Sequence, residues 1–196
     1  MIDKQQVWIE QMTSKQIRLH VYATQGLLLL LSILLLLLFS SPTEHFIDLF
    51  DWSSGEILYL GVVPSFSLVV LEIVLYRVIP SSHWDDGGVN QIVFRDISMR
   101  ELIGLTLMIA FCEELLFRGV LQPLIGYIGA SLLFACIHFR YVKKPFLLMI
   151  IIMLSFGLGF MFEHTGNLLV SITAHFVINF CLGSYIRYTD GGINHD

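Results

Sequence analysis

Phe111-Cys112-Glu113-Glu114-Leu115-Leu116-Phe117-Arg118 lies inside an apolar run that extends from Leu102 to Leu121. Three charges in such a run are costly. In water the run needs a core to bury it; in a bilayer the charges need a polar cavity and mark a functional site. Which solvent applies is decided by the rest of the chain.

The 196 residues are 56% hydrophobic and only 14% charged, with a mean hydropathy of +0.76. A soluble domain carries about a quarter charged residues. The apolar residues are gathered into runs, and a helix needs about 20 of them to cross a hydrocarbon core. Six candidate spans follow: Val21 to Ser40, Ile57 to Tyr76, Leu102 to Leu121, Tyr127 to Phe139, Pro145 to Phe162 and Leu168 to Ile186. The fourth is only about 13 residues long. The expected fold is an all-α, polytopic membrane helical bundle of about six transmembrane helices in the cell membrane.

Basic residues concentrate in cytoplasmic loops. Lys4, Lys15 and Arg18 precede span one; Arg77, Arg95 and Arg100 separate spans two and three. Arg140, Lys143 and Lys144 separate four and five, and Arg187 follows six. Six spans therefore place ten of the eleven basic residues on one side, with both termini cytoplasmic. The opposite loops hold Glu44, Asp48, Asp51, Glu56, Glu163 and His164. The polar start of the chain and the length of the first run do not fit a cleaved signal.

Residues 1–99 read as an N-terminal part with two anchor spans and a polar cytoplasmic loop. That loop, Ile79 to Ser98, includes Trp84-Asp85-Asp86 and is expected to hold an interfacial piece. Residues 100–187 read as the core that carries the intramembrane charges, and 188–196 as a disordered tail. The net charge of −5 and the lack of a dense basic patch argue against nucleic acid as a partner. Cys112, Cys136 and Cys181 form no CxxC and each lies in an apolar run, which fits small buried hydrophobes better than a disulfide framework.

Arg118 follows Glu114 by four residues, so the two share a helix face and can pair. Glu113, about 100° round the helix, is left uncommitted and available as a general base or acid. Glu72, near the cytoplasmic end of span two, is expected to be structural, snorkelling toward water or Arg77. His138 ends span four, and His175 and Asn179 share one face of span six. A carboxylate and an imidazole in reach of one water can deprotonate it for attack on a carbonyl. His175 and Asn179 offer donors to the developing oxyanion. The set fits peptide hydrolysis, and also a zinc site. An H-E-x-x-H helix, a G-x-S-x-G turn and an intramembrane Asp are all absent from the sequence.

The motifs E-E-x-x-x-R (Glu113, Glu114, Arg118), F-x-x-x-H (Phe134, His138) and H-x-x-x-N (His175, Asn179), in that order on successive helices, resemble those of the CPBP family. These are the CAAX-protease and bacteriocin-processing (Abi) membrane proteins. Phe117-Arg118-Gly119-Val120-Leu121 and the stretch from Gly157-Leu158-Gly159 to Glu163-His164-Thr165-Gly166-Asn167-Leu168 are similar too. The resemblance runs from about Arg100 to Ser184. It implies an all-helical intramembrane endopeptidase in which Glu113 and His138 activate water, His175 and Asn179 hold the oxyanion, and Glu114 with Arg118 braces the site. It implies no metal or other cofactor; Glu113, His138 and His175 are the ligands of the alternative, a divalent metal such as zinc. The implied substrate is a peptide or membrane protein in the lipid bilayer, without a prenyl group. A non-catalytic binding or bacteriocin self-immunity protein, and an ion or proton pathway, are the other readings of the same groups.

Overall fold

A computed structural model describes residues 11–39, 47–80, 83 and 87–190. Of the tail expected at 188–196, residues 188–190 instead continue the last helix; 191–196, with Lys4, Glu44 and Trp84-Asp85-Asp86, lie outside the described residues. Among the described residues, seven helices follow in order: α1 (Ser14–Phe39), α2 (Ser54–Val78), α3 (Val89–Phe94), α4 (Met99–Glu114), α5 (Gln122–Ile137), α6 (Pro145–Thr165) and α7 (Leu168–Asp190). There is no strand among the described residues. A π-helical stretch, Leu115–Leu121, joins α4 to α5. Among the described residues, five helical stretches are long and apolar enough to cross a membrane, the longest being Met99–Ile137 at 39 residues. The protein is a multi-pass helical membrane bundle.

That 39-residue stretch holds two of the expected spans. At about 1.5 Å per residue it would reach roughly 58 Å if straight, nearly twice the hydrocarbon core. It breaks at Gly126, whose φ of 80° and ψ of 163° only glycine adopts without strain. The chain reverses there. Phe117 and Phe134, placed almost symmetrically about Gly126, meet edge to face with ring centroids 5.0 Å apart. The fourth span is therefore a half-length return that ends inside the bundle.

α1 is built inside out. Most of its leucines are exposed to the surroundings, while its buried residues are Ile17, Arg18, Gln25 and Ser32. Arg18, Gln25 and Ser32 are seven apart, two helical turns each, and so form one polar stripe. Arg18 pairs with Glu101 of α4 at 3.0 Å and donates to the Val93 carbonyl. α2 approaches α7 closely at a small residue, Gly61: a Cβ there would lie 3.1 Å from the Val170 carbonyl oxygen. Such residues let membrane helices approach closely.

Connections fall at two ends. At one, Gly166 closes α6 in a left-handed cap. Asn167 then caps α7 through Leu169 N–H and donates to the Asp51 carbonyl at 2.7 Å. At the other, Arg187 donates to the Ile97 carbonyl at 2.8 Å, near the Arg18–Glu101 pair. The described basic residues outside the bundle core collect at this end. The Ile79 to Ser98 connector does carry a helical piece, α3, whose Val93 packs with Ile17, Ile97, Leu102 and Leu105.

Candidate active site

The hairpin at Gly126 sets the site. Continuing the Phe117–Phe134 register by one turn on each arm brings Glu113 level with His138. From the sequence, His138 is expected near the membrane edge, well short of the depth of Glu113. The half-length α5 removes that gap. Both residues, with His175 and Asn179 of α7, line one cavity of about 550 Å³.

Glu114 is fully buried at 0% exposure and is held from two sides. Arg118 donates to its Oε1 at 3.1 Å, four residues on, and His175 Nδ1 approaches the same oxygen at 2.9 Å. The π turn carries Arg118, which also donates to the Ser155 carbonyl at 2.7 Å and lies over the Phe134 ring at 4.6 Å. One guanidinium thus ties α4, α5 and α6 together. Gln122, one turn on, ties α5 to α6, donating to the Gly159 carbonyl and to Glu163.

Glu113 points away from that pair. Its Oε1 accepts a hydrogen bond from Gln25 Nε2 at 2.9 Å. Its Oε2 faces His175 Nε2 at 4.0 Å, too far for a direct hydrogen bond. An oxygen about 2.8 Å from each would fit the gap. His138 Nδ1 donates to the Phe134 carbonyl at 2.8 Å. A carbonyl only accepts, so Nδ1 carries a proton and Nε2 has its lone pair available when the ring is neutral. The ring is further fixed by Phe134 and Tyr141, with centroids at 4.8 and 6.4 Å.

Gln25 is the residue that sequence reasoning overlooks. The leucine-rich first span reads as an anchor, yet it hands a buried amide to Glu113. The signal is the polar stripe: an amide in the middle of an apolar helix invites the same question as a carboxylate in one. Glu72 also lines the cavity, buried rather than snorkelling. Among the described residues, no group of three His, Cys, Asp or Glu side chains is arranged to hold a metal ion. The Nδ1 atoms of both histidines are turned away, toward Phe134 and Glu114.

Comparison with known proteins agrees with this architecture. The family described as type II CAAX prenyl endopeptidase Rce1-like matches residues 96–181, the segment from the start of α4 to the middle of α7. The chain is 41% identical over 152 residues to the uncharacterized protein YpbD of Bacillus subtilis (strain 168), covering 78% of this chain and 80% of the relative. It is 27% identical over 151 residues to the UPF0177 protein YxdF of Lactococcus lactis subsp. lactis (strain IL1403), covering 71% and 82%. No solved structure matches the chain. From the match across α4 to α7 and the extent of the likeness to the Bacillus relative, the chain belongs to the Rce1-like type II CAAX prenyl endopeptidase family, which is the CPBP family of membrane proteins.

Proposed function

We propose that the protein is an intramembrane endopeptidase that hydrolyses a peptide bond in a membrane-associated peptide or protein. One observation carries this reading: Glu113, His138, His175 and Asn179, from three helices, line one cavity inside a membrane bundle. Polar groups converge on an interior cavity where lipid would otherwise exclude them.

The substrate carbonyl sits between Glu113 and His175. Water, held by Glu113 and His138 Nε2, attacks the carbonyl carbon while its proton passes to Glu113. The new oxyanion is held by His175 Nε2 and the Asn179 amide. For Nε2 of His175 to donate while Nδ1 donates to Glu114, the ring carries both protons. The cluster of Glu113, Glu114, Arg118 and His175 then sums to zero charge, so no net charge is left buried there. When the C–N bond breaks, Glu113 returns the proton to the leaving amine, giving a carboxyl and an amino end. Glu114 and Arg118 hold His175 and the helices in place. Gln25 orients Glu113.

The chemistry needs no group beyond these side chains, and none of its steps passes through a metal. The test in cells is a comparison of membrane proteins and released peptides between wild type and Glu113→Ala. Peptides that disappear in the variant, while the protein stays in the membrane, are the expected result. Identical peptide sets from wild type, Glu113→Ala and His138→Ala would leave the non-catalytic binding reading in its place.

A further inference from the structure

The cavity holds a second carboxylate that the proposed chemistry does not use. Glu72 of α2 lines it together with Glu113 and is 7% exposed. It forms no ion pair with Arg77, which lies five residues on, about 140° round the helix, and is exposed. No other described residue donates to it. Its helix neighbours Val70, Leu71 and Val74 are exposed on the outer face, so Glu72 is turned inward. A buried carboxylate without a cation costs several kcal/mol, and an ionisable side chain kept within a span marks function by default.

Its height in the cavity follows from helix register. α2 and α7 run parallel. Gly61 lies against Val170, Val69 packs with Ala174 and Ile178, and the Tyr76 and Tyr185 rings meet at 5.9 Å. The same register sets Glu72 beside the turn after Asn179, about five residues beyond His175. At about 1.5 Å per residue that is roughly 7 Å toward the basic end. An extended peptide advances about 3.3 Å per residue, so the distance spans two of its residues. Arg140 also lines the cavity, but it is engaged with Tyr141, over whose ring its guanidinium lies at 4.7 Å.

We propose that Glu72 is a specificity subsite for a cationic nitrogen of the substrate, about two residues from the bond that Glu113 attacks. The nitrogen belongs to a lysine or arginine side chain or to a free amino end. The inference rests on the cavity being a peptide site, as set out above, and its test does not require cleavage.

The test is binding to the Glu113→Gln protein in phosphatidylcholine nanodiscs, whose zwitterionic surface does not itself attract basic peptides. The probes are short leucine- and alanine-rich peptides carrying lysine or norleucine at each position in turn, with free or acetylated amino ends. The expected result is at least about tenfold tighter binding of lysine over norleucine at one position. Adding Glu72→Gln removes that preference and Glu72→Asp retains it. A preference that vanishes on acetylation alone assigns the cation to the amino end. Equal binding of all peptides, or a lysine preference that survives Glu72→Gln in a protein with unaltered unfolding, overturns the proposal. Glu72-dependent binding of peptides that the wild type never cleaves would instead defeat the protease reading and leave the subsite standing. Cleavage without a Glu72-dependent preference would do the reverse.

Discussion

Replacing Arg118 by methionine removes the cation from the most buried charge pair in the bundle. Glu114 would keep one partner, His175, and lose its 3.1 Å contact to the guanidinium. The Ser155 carbonyl would lose a 2.7 Å donor, and the Phe134 ring its cation. Breaking a buried pair from one side costs about 3–5 kcal/mol, because the remaining charge is left uncompensated. For a chain of this size that corresponds to a fall in midpoint temperature on the order of 10 °C. The assay is unfolding in mixed detergent micelles followed by far-ultraviolet circular dichroism, with free energies from the denaturing-detergent titration. A second variant separates charge from shape. Glu114→Gln added to Arg118→Met removes the orphaned charge, while the glutamine carbonyl still accepts from His175. The double variant should recover at least half of the loss and remain poor in cleavage. A single variant within about 1 kcal/mol of wild type, or a double variant no better than the single, would refute the reasoning.

Gln25→Leu should leave the protein folded and lower kcat about ten- to hundredfold with little change in KM. A hydrogen bond to a charged group is worth about 1.5–3 kcal/mol, and steady-state kinetics on one cleaved peptide reads the split. Gly126→Ala should destabilise the bundle by about 1–3 kcal/mol, since alanine is strained at the reversing φ and ψ; the same detergent titration measures it. Cleavage should persist in excess chelator, in protein whose metal content is far below one per chain by elemental analysis. Loss of activity in chelator with recovery on adding zinc would contradict the metal-free mechanism.

The hydrophobic runs made the bundle readable because lipid imposes a length on every span. The short fourth run was visible too, but its meaning was not. Thirteen residues cannot cross a bilayer, and only the reversal at Gly126 turns that deficit into a return arm that lifts His138 to Glu113. The Glu114–Arg118 contact followed from four-residue spacing on one helix. Gln25 and Glu72 did not follow in the same way, because their roles depend on which helices are neighbours, and periodicity within one helix does not encode that. The seven-residue spacing of Arg18, Gln25 and Ser32 still marks the inward face of α1. An apolar helix with a single polar stripe shows its leucines to lipid and its stripe to the bundle.

The central claim is that the cavity around Glu113 hydrolyses peptide bonds. Its most direct test is the purified protein in nanodiscs, given a peptide that disappears in the Glu113→Ala cells, with products identified by mass spectrometry. Wild type should yield one new carboxyl end and one new amino end. Glu113→Gln and His138→Ala should bind the same peptide but cleave it at least about a hundredfold more slowly. Cleavage at the wild-type rate by both variants would contradict the account.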